Sequence, residues 1–439
     1  MRFYNREEEI EKLNSIAQKS LSKGQFTVLT GRRRIGKTQL MLKAYEDRTY
    51  LYFFVSRKSE ALLCQDYQKE IEAKLQIPIL GESDSFATVF EFLLKYAQNR
   101  NITLLIDEFQ EFFSVNPSVY SDIQRLWDLY KETSKMNLVV SGSVVSLIYQ
   151  IFENSKEPLF GRAQNYIRLK PFNTNTLKEI LEDYHPEYKP DDLLSLYSFT
   201  GGVAKYVEML MDAGATTKIK MINHIISKDS LFINEGKNIL IEEFGKDYAI
   251  YFSILTSIAE GYQSRAEIED LLKKEIGGYL TKLERGFQLI GKAQPIFSNS
   301  RTKNMKYRVE DNFLLFWFRF IYKYNHIVEI EGYEQLQEIV KRDYDTYSGL
   351  MLEKYFRIRA IESKNYTKIG NHWDRKGEVE IDYIALNELK KEMSVAEVKR
   401  NKSKIDLNKL QQKMIITLNN YSKYSGYQID YMSLSLDDM

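Results

Sequence analysis

The sequence predicts an α/β protein whose first domain is built on a doubly wound parallel sheet, and three features carry that expectation. Five short β-rich apolar runs alternate with stretches of helical periodicity between residues 24 and 170. A glycine-bounded turn follows the first run directly, and the third run ends in a pair of acids. The runs are residues 26–30, 51–55, 102–106, 138–141 and 166–169. Strands separated by helix-length segments pair in parallel, because each crossover must return the chain to the same end of the sheet.

The remaining chain reads as three further segments. From 175 to about 245 the periodicity is helical, broken by Thr200-Gly201-Gly202. From 248 to 310 three short helical patterns precede a hairpin pattern, AQPIF and KYRVED flanking SNSRTKN, which is the helix–helix–helix–wing order of a winged helix. Beyond about 335, a helix at 346–361 precedes two strand-like runs, EVEIDYIAL and MSVAEVK, and a closing helix. No internal repeat is visible.

Bulk properties narrow the class. A chain of 439 residues exceeds one compact core. With 44% apolar and 28% charged residues it is ordinary globular protein, not a disordered chain. The net charge of +1 rules out a uniformly basic nucleic-acid binder, so any basic surface is local. Cys64, the single cysteine, has no partner for an internal disulfide, which predicts a reducing cytoplasmic setting. The opening MRFYNREEEIEKL lacks the apolar core of a signal peptide. The most hydrophobic stretch, 313–322, contains Arg319 and is about half the length of a membrane span, so no membrane partner is expected.

The segment Gly31-Arg32-Arg33-Arg34-Ile35-Gly36-Lys37-Thr38 fits G-x-x-x-x-G-K-[ST] at each constrained position. Gly31 and Gly36 let backbone N–H groups turn inward around phosphates, and the following helix adds the positive end of its dipole. Lys37 would reach the β- and γ-phosphates, and Thr38 would offer its hydroxyl to Mg²⁺. The flanks FTVLT and TQLMLKAYE read as a strand and a helix, the context a phosphate loop needs and a structural glycine turn does not. ATP with Mg²⁺ is the expected ligand. The run Leu104-Leu105-Ile106 leads into Asp107, placed to hold Mg²⁺ directly or through water, and Glu108, placed to polarise an attacking water. A positioned base predicts hydrolysis rather than binding alone. On the next strand, NLVVSGS, Ser141 and Ser143 are candidates to contact the γ-phosphate or the water. Arg162 closes the segment Glu157-Pro158-Leu159-Phe160-Gly161-Arg162 before the last run. On that rim it would act as a transition-state finger toward a neighbouring subunit, or else pair on the surface with Glu153 or Glu157.

The segments FYNREEEIEKL, TGRRRIGKT, LLIDEFQ, VVSGS, PLFGR, TGGVAKY and YRVEDNFLLFWFRFIY occur in that order over about residues 1–325. In them the chain resembles the archaeal-type ATPase family of the STAND class of P-loop NTPases, relatives of the AAA+ initiators. The resemblance implies a RecA/AAA+-like core, an adenine pocket lined by Arg6 and its neighbours, a helical lid over 175–245 and a winged helix over 248–320. One departure stands out: the family's Gly-Gly-x-Pro-x-Tyr has Ala204 in place of the proline. The C-terminal segment is similar to restriction-endonuclease-like (PD-(D/E)XK) domains, through Glu353 on the leading helix, Asp382 on the first strand-like run and Glu397-Val398-Lys399 on the second. The expected domains are therefore a P-loop ATPase core at 1–174, a helical lid at 175–245, a winged helix at 246–325 and a restriction-endonuclease-like domain at 326–439.

Strand alternation puts Glu380 with Asp382 on one face, and Glu397 with Lys399 on one face of the paired strand. Asp382 and Glu397 would then hold a second Mg²⁺, with Lys399 stabilising phosphoryl charge. The alternative is a charged hairpin on a fold that keeps its shape without the chemistry. Residues 390–413 hold eight Lys/Arg against three acids, with Gln411 and Gln412 on the closing helix. The expected wing carries Arg301, Lys303, Lys306 and Arg308, and the helix at 277–286 offers Tyr279, Lys282 and Arg285. DNA is therefore an expected partner, alongside a homo-oligomer completed by Arg162. Two functions remain open: an ATP-governed nuclease, and a nucleotide-switched regulator whose C-terminal module binds without cutting.

Overall fold

Five strands, β1 (Gln25–Thr30), β2 (Tyr50–Phe54), β3 (Ile102–Asp107), β4 (Met136–Gly142) and β5 (Asn165–Arg168), form one parallel sheet in the order β2-β3-β4-β1-β5. This is seen in a computed structural model that describes residues 1–77, 83–244, 248–298, 304–374 and 377–439. The chain divides into two units, Phe3–Lys170 and Pro171–Met439 with Met1–Arg2.

In the first unit every residue of β3 and β4 is buried, as a central strand covered on both faces requires. The edge strands β2 and β5 keep exposed positions. Alternation sorts the side chains into two layers. Phe26, Val28, Leu104, Ile106, Leu138 and Val140 pack against Phe86, Phe90 and Trp127 on one face. Leu29, Leu105, Val139 and Ile167 pack against Leu13, Leu40, Met41 and Tyr45 on the other. The register then sets up the site. Thr30 on β1 lies level with Gly142 on β4, and Ile106 on β3 lies level with Val140. The carboxyl ends of three central strands thus meet at one edge, where open α/β sheets bind ligands.

In the second unit, helices Thr174–Tyr184 and Lys218–Ile225 begin at side-chain caps from Asn173 and Thr217. Ala204 is the first residue of the helix Ala204–Asp212. A proline is tolerated at that position because its missing N–H has no partner there anyway, so alanine fills it without structural penalty. Helices Tyr248–Glu260, Arg265–Leu272 and Gly277–Thr281 precede an antiparallel hairpin, β6 (Ile290–Ala293) and β7 (Lys306–Val309).

The hairpin is fastened to a second sheet. That sheet comprises β8 (Lys368–Trp373), β9 (Glu380–Asn387), β10 (Glu392–Val398) and β11 (Gln428–Leu434), in the order β11-β10-β9-β8. β10 and β11 run parallel, and the other pairs are antiparallel. Ile296 and Phe297, just past β6, are buried in the core of this sheet with Ile384, Leu386 and Met414. The Ile296 N–H donates to the Asn371 carbonyl at 2.9 Å. Lys306 and Arg308 lie over the Trp373 ring, at 4.8 and 5.9 Å from its centroid. Each of these two cations thus has an aromatic partner within the protein. Arg301 and Lys303 lie outside the described residues.

The leading helix runs Tyr333–Glu362, longer than expected at its start, with Leu336, Val340, Tyr344, Tyr347, Met351 and Tyr355 as its buried stripe. Tyrosines in that stripe blur the apolar periodicity a sequence shows. Strands β8 and β11 were not expected, because KIGNHW and QIDYMSL mix polar residues through the run and lack a clean alternation. Among the described residues, no helix is long and apolar enough to cross a membrane.

Candidate functional site

The phosphate loop leaves β1 at Thr30 and enters the helix Lys37–Ala44 through Gly36, whose φ of 94° lies in the left-handed region where glycine carries no Cβ penalty. Lys37 is buried at the centre of this turn. Its Nζ donates to the carbonyls of Gly31 at 2.9 Å and Arg32 at 3.0 Å. The ammonium is thus satisfied by the loop until a stronger acceptor arrives.

Asp107, at the end of β3, gathers the rest. Its Oδ2 accepts from Thr38 Oγ1 at 2.6 Å and Tyr52 Oη at 3.0 Å. Its Oδ1 accepts from the Glu108 N–H at 2.9 Å and from Ser141 Oγ. A carboxylate this buried needs such a shell. Burial, and then Asp107 itself, push the Tyr52 phenol far above its ordinary range, so Tyr52 remains a donor. Thr38 and Asp107 together present hydroxyl and carboxylate oxygens, the hard donors that Mg²⁺ takes.

Glu108 has φ 53°, an unusual conformation for a side chain of its size, in a position where function commonly holds strain. Its Oε2 accepts from Ser143 Oγ at 2.7 Å and from Gln110 Nε2. Both candidate serines therefore address the acids, Ser141 through Asp107 and Ser143 through Glu108. Sequence reasoning missed Tyr52 and Gln110. Tyr52 carried no signal, since its role arises from strand register; Gln110 stood within the LLIDEFQ motif.

Arg6 is buried, and its Nη2 donates to the Lys170 carbonyl at 2.9 Å with Glu9 3.7 Å from Nη1. Burial lowers its pKa, with Glu9 opposing. Arg162 occupies the turn before β5, and its Nε and Nη2 both donate to Asp128 Oδ2 at 3.1 Å. Its partner is neither Glu153 nor Glu157, because Asp128 projects from the helix Ser118–Tyr130. Burial works against the Asp128 charge, but Lys131 and Arg162 outweigh it and hold the carboxyl below its ordinary value.

In the second unit, Glu353, Asp382, Glu397 and Lys399 come together. Lys399 Nζ lies 3.0 Å from Asp382 Oδ2 and 3.7 Å from Glu397 Oε1. Asp382 Oδ2 also accepts from the Val398 N–H at 3.1 Å. Arg357 Nη1 donates to Glu353 Oε2 at 3.4 Å and to the Asp382 carbonyl at 3.0 Å. Desolvation by burial, then the Asp382 charge, push the Glu353 carboxyl up to about 7. Asp382 outweighs burial at Lys399 and keeps the ammonium charged. The ammonium lies against both carboxylates. Among the described residues no group of three acids, histidines or cysteines is arranged to hold a metal. Of the basic run 390–413, Lys399 and Arg400 also turn inward, Arg400 onto Asp191 at 2.8 Å. Lys390, Lys391, Lys402, Lys404 and Lys409 are exposed.

Comparison with known proteins adds to this geometry. Residues 3–210 match a family described as an ATPase domain predominantly from Archaea. Residues 317–415 match a family of archaeal and bacterial proteins of unknown function. An uncharacterised protein of Methanocaldococcus jannaschii is 29% identical over 443 residues, covering 96% of this chain and 94% of its own length. ORC1-type DNA replication protein 2 of Saccharolobus solfataricus is 27% identical over 222 residues, 46% of this chain and 53% of that protein. A solved Walker-type ATPase of Pyrococcus abyssi has a similar fold, with a TM-score of 0.54 at 19% identity, covering 72% of this chain and 96% of its own.

The C-terminal cluster has a pH signature. With its pKa raised from 4.5 to about 7, Glu353 keeps its proton when folded and loses it when unfolded across that window. The folded state then binds more protons, so this group removes stability as pH rises from 4.5 to 7. Glu353→Gln, which keeps an acceptor for Arg357, is expected to gain stability over wild type at pH 8 relative to pH 4 in urea unfolding. Parallel pH curves for the two proteins would contradict the assignment.

Proposed function

We propose that this chain, whose residues 3–210 match a family of ATPase domains predominantly from Archaea, binds ATP with Mg²⁺ and hydrolyses it where β1, β3 and β4 end. The observation that carries the reading is the Asp107 shell, which joins the phosphate loop through Thr38 to the strand that bears Glu108. Lys37 exchanges its loop carbonyls for the β- and γ-phosphate oxygens, a charge-assisted contact stronger than those it gives up. Thr38 and Asp107 would hold Mg²⁺, which when bound would supply neutralising charge to the phosphates. Glu108 takes a proton from water as the water oxygen bonds to the γ-phosphorus and the bond to the ADP oxygen breaks. Arg6 is read as a wall of the adenine pocket, where its backbone anchoring would keep it in place. Arg162, committed to Asp128 in a two-nitrogen pair, is given no part in the chemistry.

For the C-terminal module the observation that supports a reading is Lys399. An ammonium between Asp382 and Glu397 neutralises the carboxylates from within, so the regulator reading, in which this module binds without cutting, is favoured over a nuclease. Exposed lysines along 390–409, with Lys282 and Arg285 exposed on the earlier segment, suit phosphate contacts. The DNA replication role in the name of the Saccharolobus solfataricus relative points to the same class of partner.

Glu108→Gln should keep ATP affinity and lose turnover by on the order of 10²–10⁴, because the amide preserves shape without basicity. Near-wild-type turnover in a steady-state phosphate-release assay would assign the base elsewhere. Wild-type protein should retard DNA in a salt-dependent gel shift and leave plasmid uncut with Mg²⁺ or Mn²⁺, with or without ATP. Cleavage that disappears in Asp382→Ala would restore the nuclease reading.

A further inference from the structure

Two hydrogen bonds converge on a single atom of the proposed base. Glu108 Oε2 accepts from Ser143 Oγ at 2.7 Å and from Gln110 Nε2, which leaves Oε1 without a donor among the described residues. A carboxylate that only neutralised charge would gain from donors on both oxygens. One that must take a proton needs an oxygen left open, with its lone pairs aimed at the water.

Gln110 is built into this place at a cost. It sits on the short turn Phe109–Glu111 with 1% of its surface exposed. Its backbone is pinned by Tyr120 Oη, which lies 3.2 Å from the carbonyls of Phe109 and Gln110. The side-chain carbonyl, Oε1, is buried with no hydrogen-bond partner. An orphaned buried amide oxygen costs about 1–3 kcal/mol, so an apolar side chain of the same length would serve a purely structural role better. Space is also made for it. A Cβ on Gly142 would stand 2.5 Å from Gln110 Oε1 and 2.3 Å from Ile148 Cδ1, which explains a glycine between Ser141 and Ser143. The remaining contact of the side chain is the amide donated to Glu108. The left-handed backbone at Glu108 gives that residue a second reason to need holding, since strained positions persist only where their surroundings over-determine them.

We infer that Gln110 is a positioning residue for Glu108: with Ser143 it anchors one carboxylate oxygen, so that the other faces the water attacking the γ-phosphate. The inference rests on the reading of Glu108 as the base and is tested so that the two can fail separately.

The test is a double-mutant cycle on the full-length chain, read by phosphate release and by ATP titration. Gln110→Met keeps the length and removes both the donor and the orphaned oxygen. It is expected to lower kcat by about 10- to 100-fold, the scale of a misplaced catalytic group, with ATP Kd changed by less than about twofold. Its melting temperature should not fall. In a Glu108→Gln background, where there is no base to aim, the same substitution should cost nothing further. Ser143→Ala, which removes the other donor, should show a smaller loss with the same dependence on Glu108, and it keeps the inference testable if Gln110→Met does not fold. If Glu108→Gln turns over normally, the base assignment falls and this inference with it. If Glu108→Gln is inactive while Gln110→Met is as active as wild type, only the positioning role falls. A faster Gln110→Met would make Gln110 a restraint on the base. Weakened ATP binding, or equal losses in both backgrounds, would reduce it to a structural residue; each of these results overturns the inference.

Discussion

A buried carboxylate holds the site together. Asp107 accepts hydrogen bonds from Thr38 on the helix after the phosphate loop, Tyr52 on β2, Ser141 on β4 and the amide of Glu108. An ionised group taken out of water is tolerated only when such partners replace its hydration, and leaving it short of them is expensive. The strand order supplies them: β3 lies between β2 and β4, and β4 lies between β3 and the strand that feeds the loop. The loop, Glu108 and the flanking strands are thereby tied through one side chain. A nucleotide that exchanges any of these bonds acts on all of them.

The parts of the site that were legible in the sequence are those where chemistry dictates residue type at a set spacing. Gly31, Gly36, Lys37 and Thr38 could be read because backbone approach to phosphate, a cation and a hydroxyl are all needed within one turn. Asp107 and Glu108 stood out because two acids end a buried strand one strand away from the phosphate loop, and the structure brings Asp107 against Thr38. The five strands were legible because a parallel sheet covered on both faces demands unbroken apolar runs. Tyr52 was not legible: as a donor it depends on Phe54 pairing level with Asp107, which no local pattern encodes. Arg162 was placed on the right rim, but its partner Asp128 lies on a helix whose orientation the sequence does not disclose.

The second unit shows the same division more sharply. Alternation correctly grouped Asp382 with the face that meets Glu397 and Lys399, yet it could not say which charges would win there. The geometry answers with an ammonium 3.0 Å from Asp382, reinforced by Arg357 against Glu353. The hairpin's second strand fell within KYRVED, but its first runs Ile290–Ala293 rather than through AQPIF. Ile296 and Phe297 bury themselves under β9 and β10, and Trp373 takes up the nearby cations. Apolar residues in a connecting loop were the available sign that this hairpin docks on protein.

The proposed chemistry depends on nucleotide binding at the phosphate loop. Calorimetric titration of the full-length chain with ATP, with and without Mg²⁺, and of Lys37→Ala alongside it, tests this most directly. One ATP per chain, bound more tightly with Mg²⁺ and lost in Lys37→Ala while its circular dichroism stays that of wild type, is the predicted result. Equal ATP affinity in wild type and Lys37→Ala would contradict it.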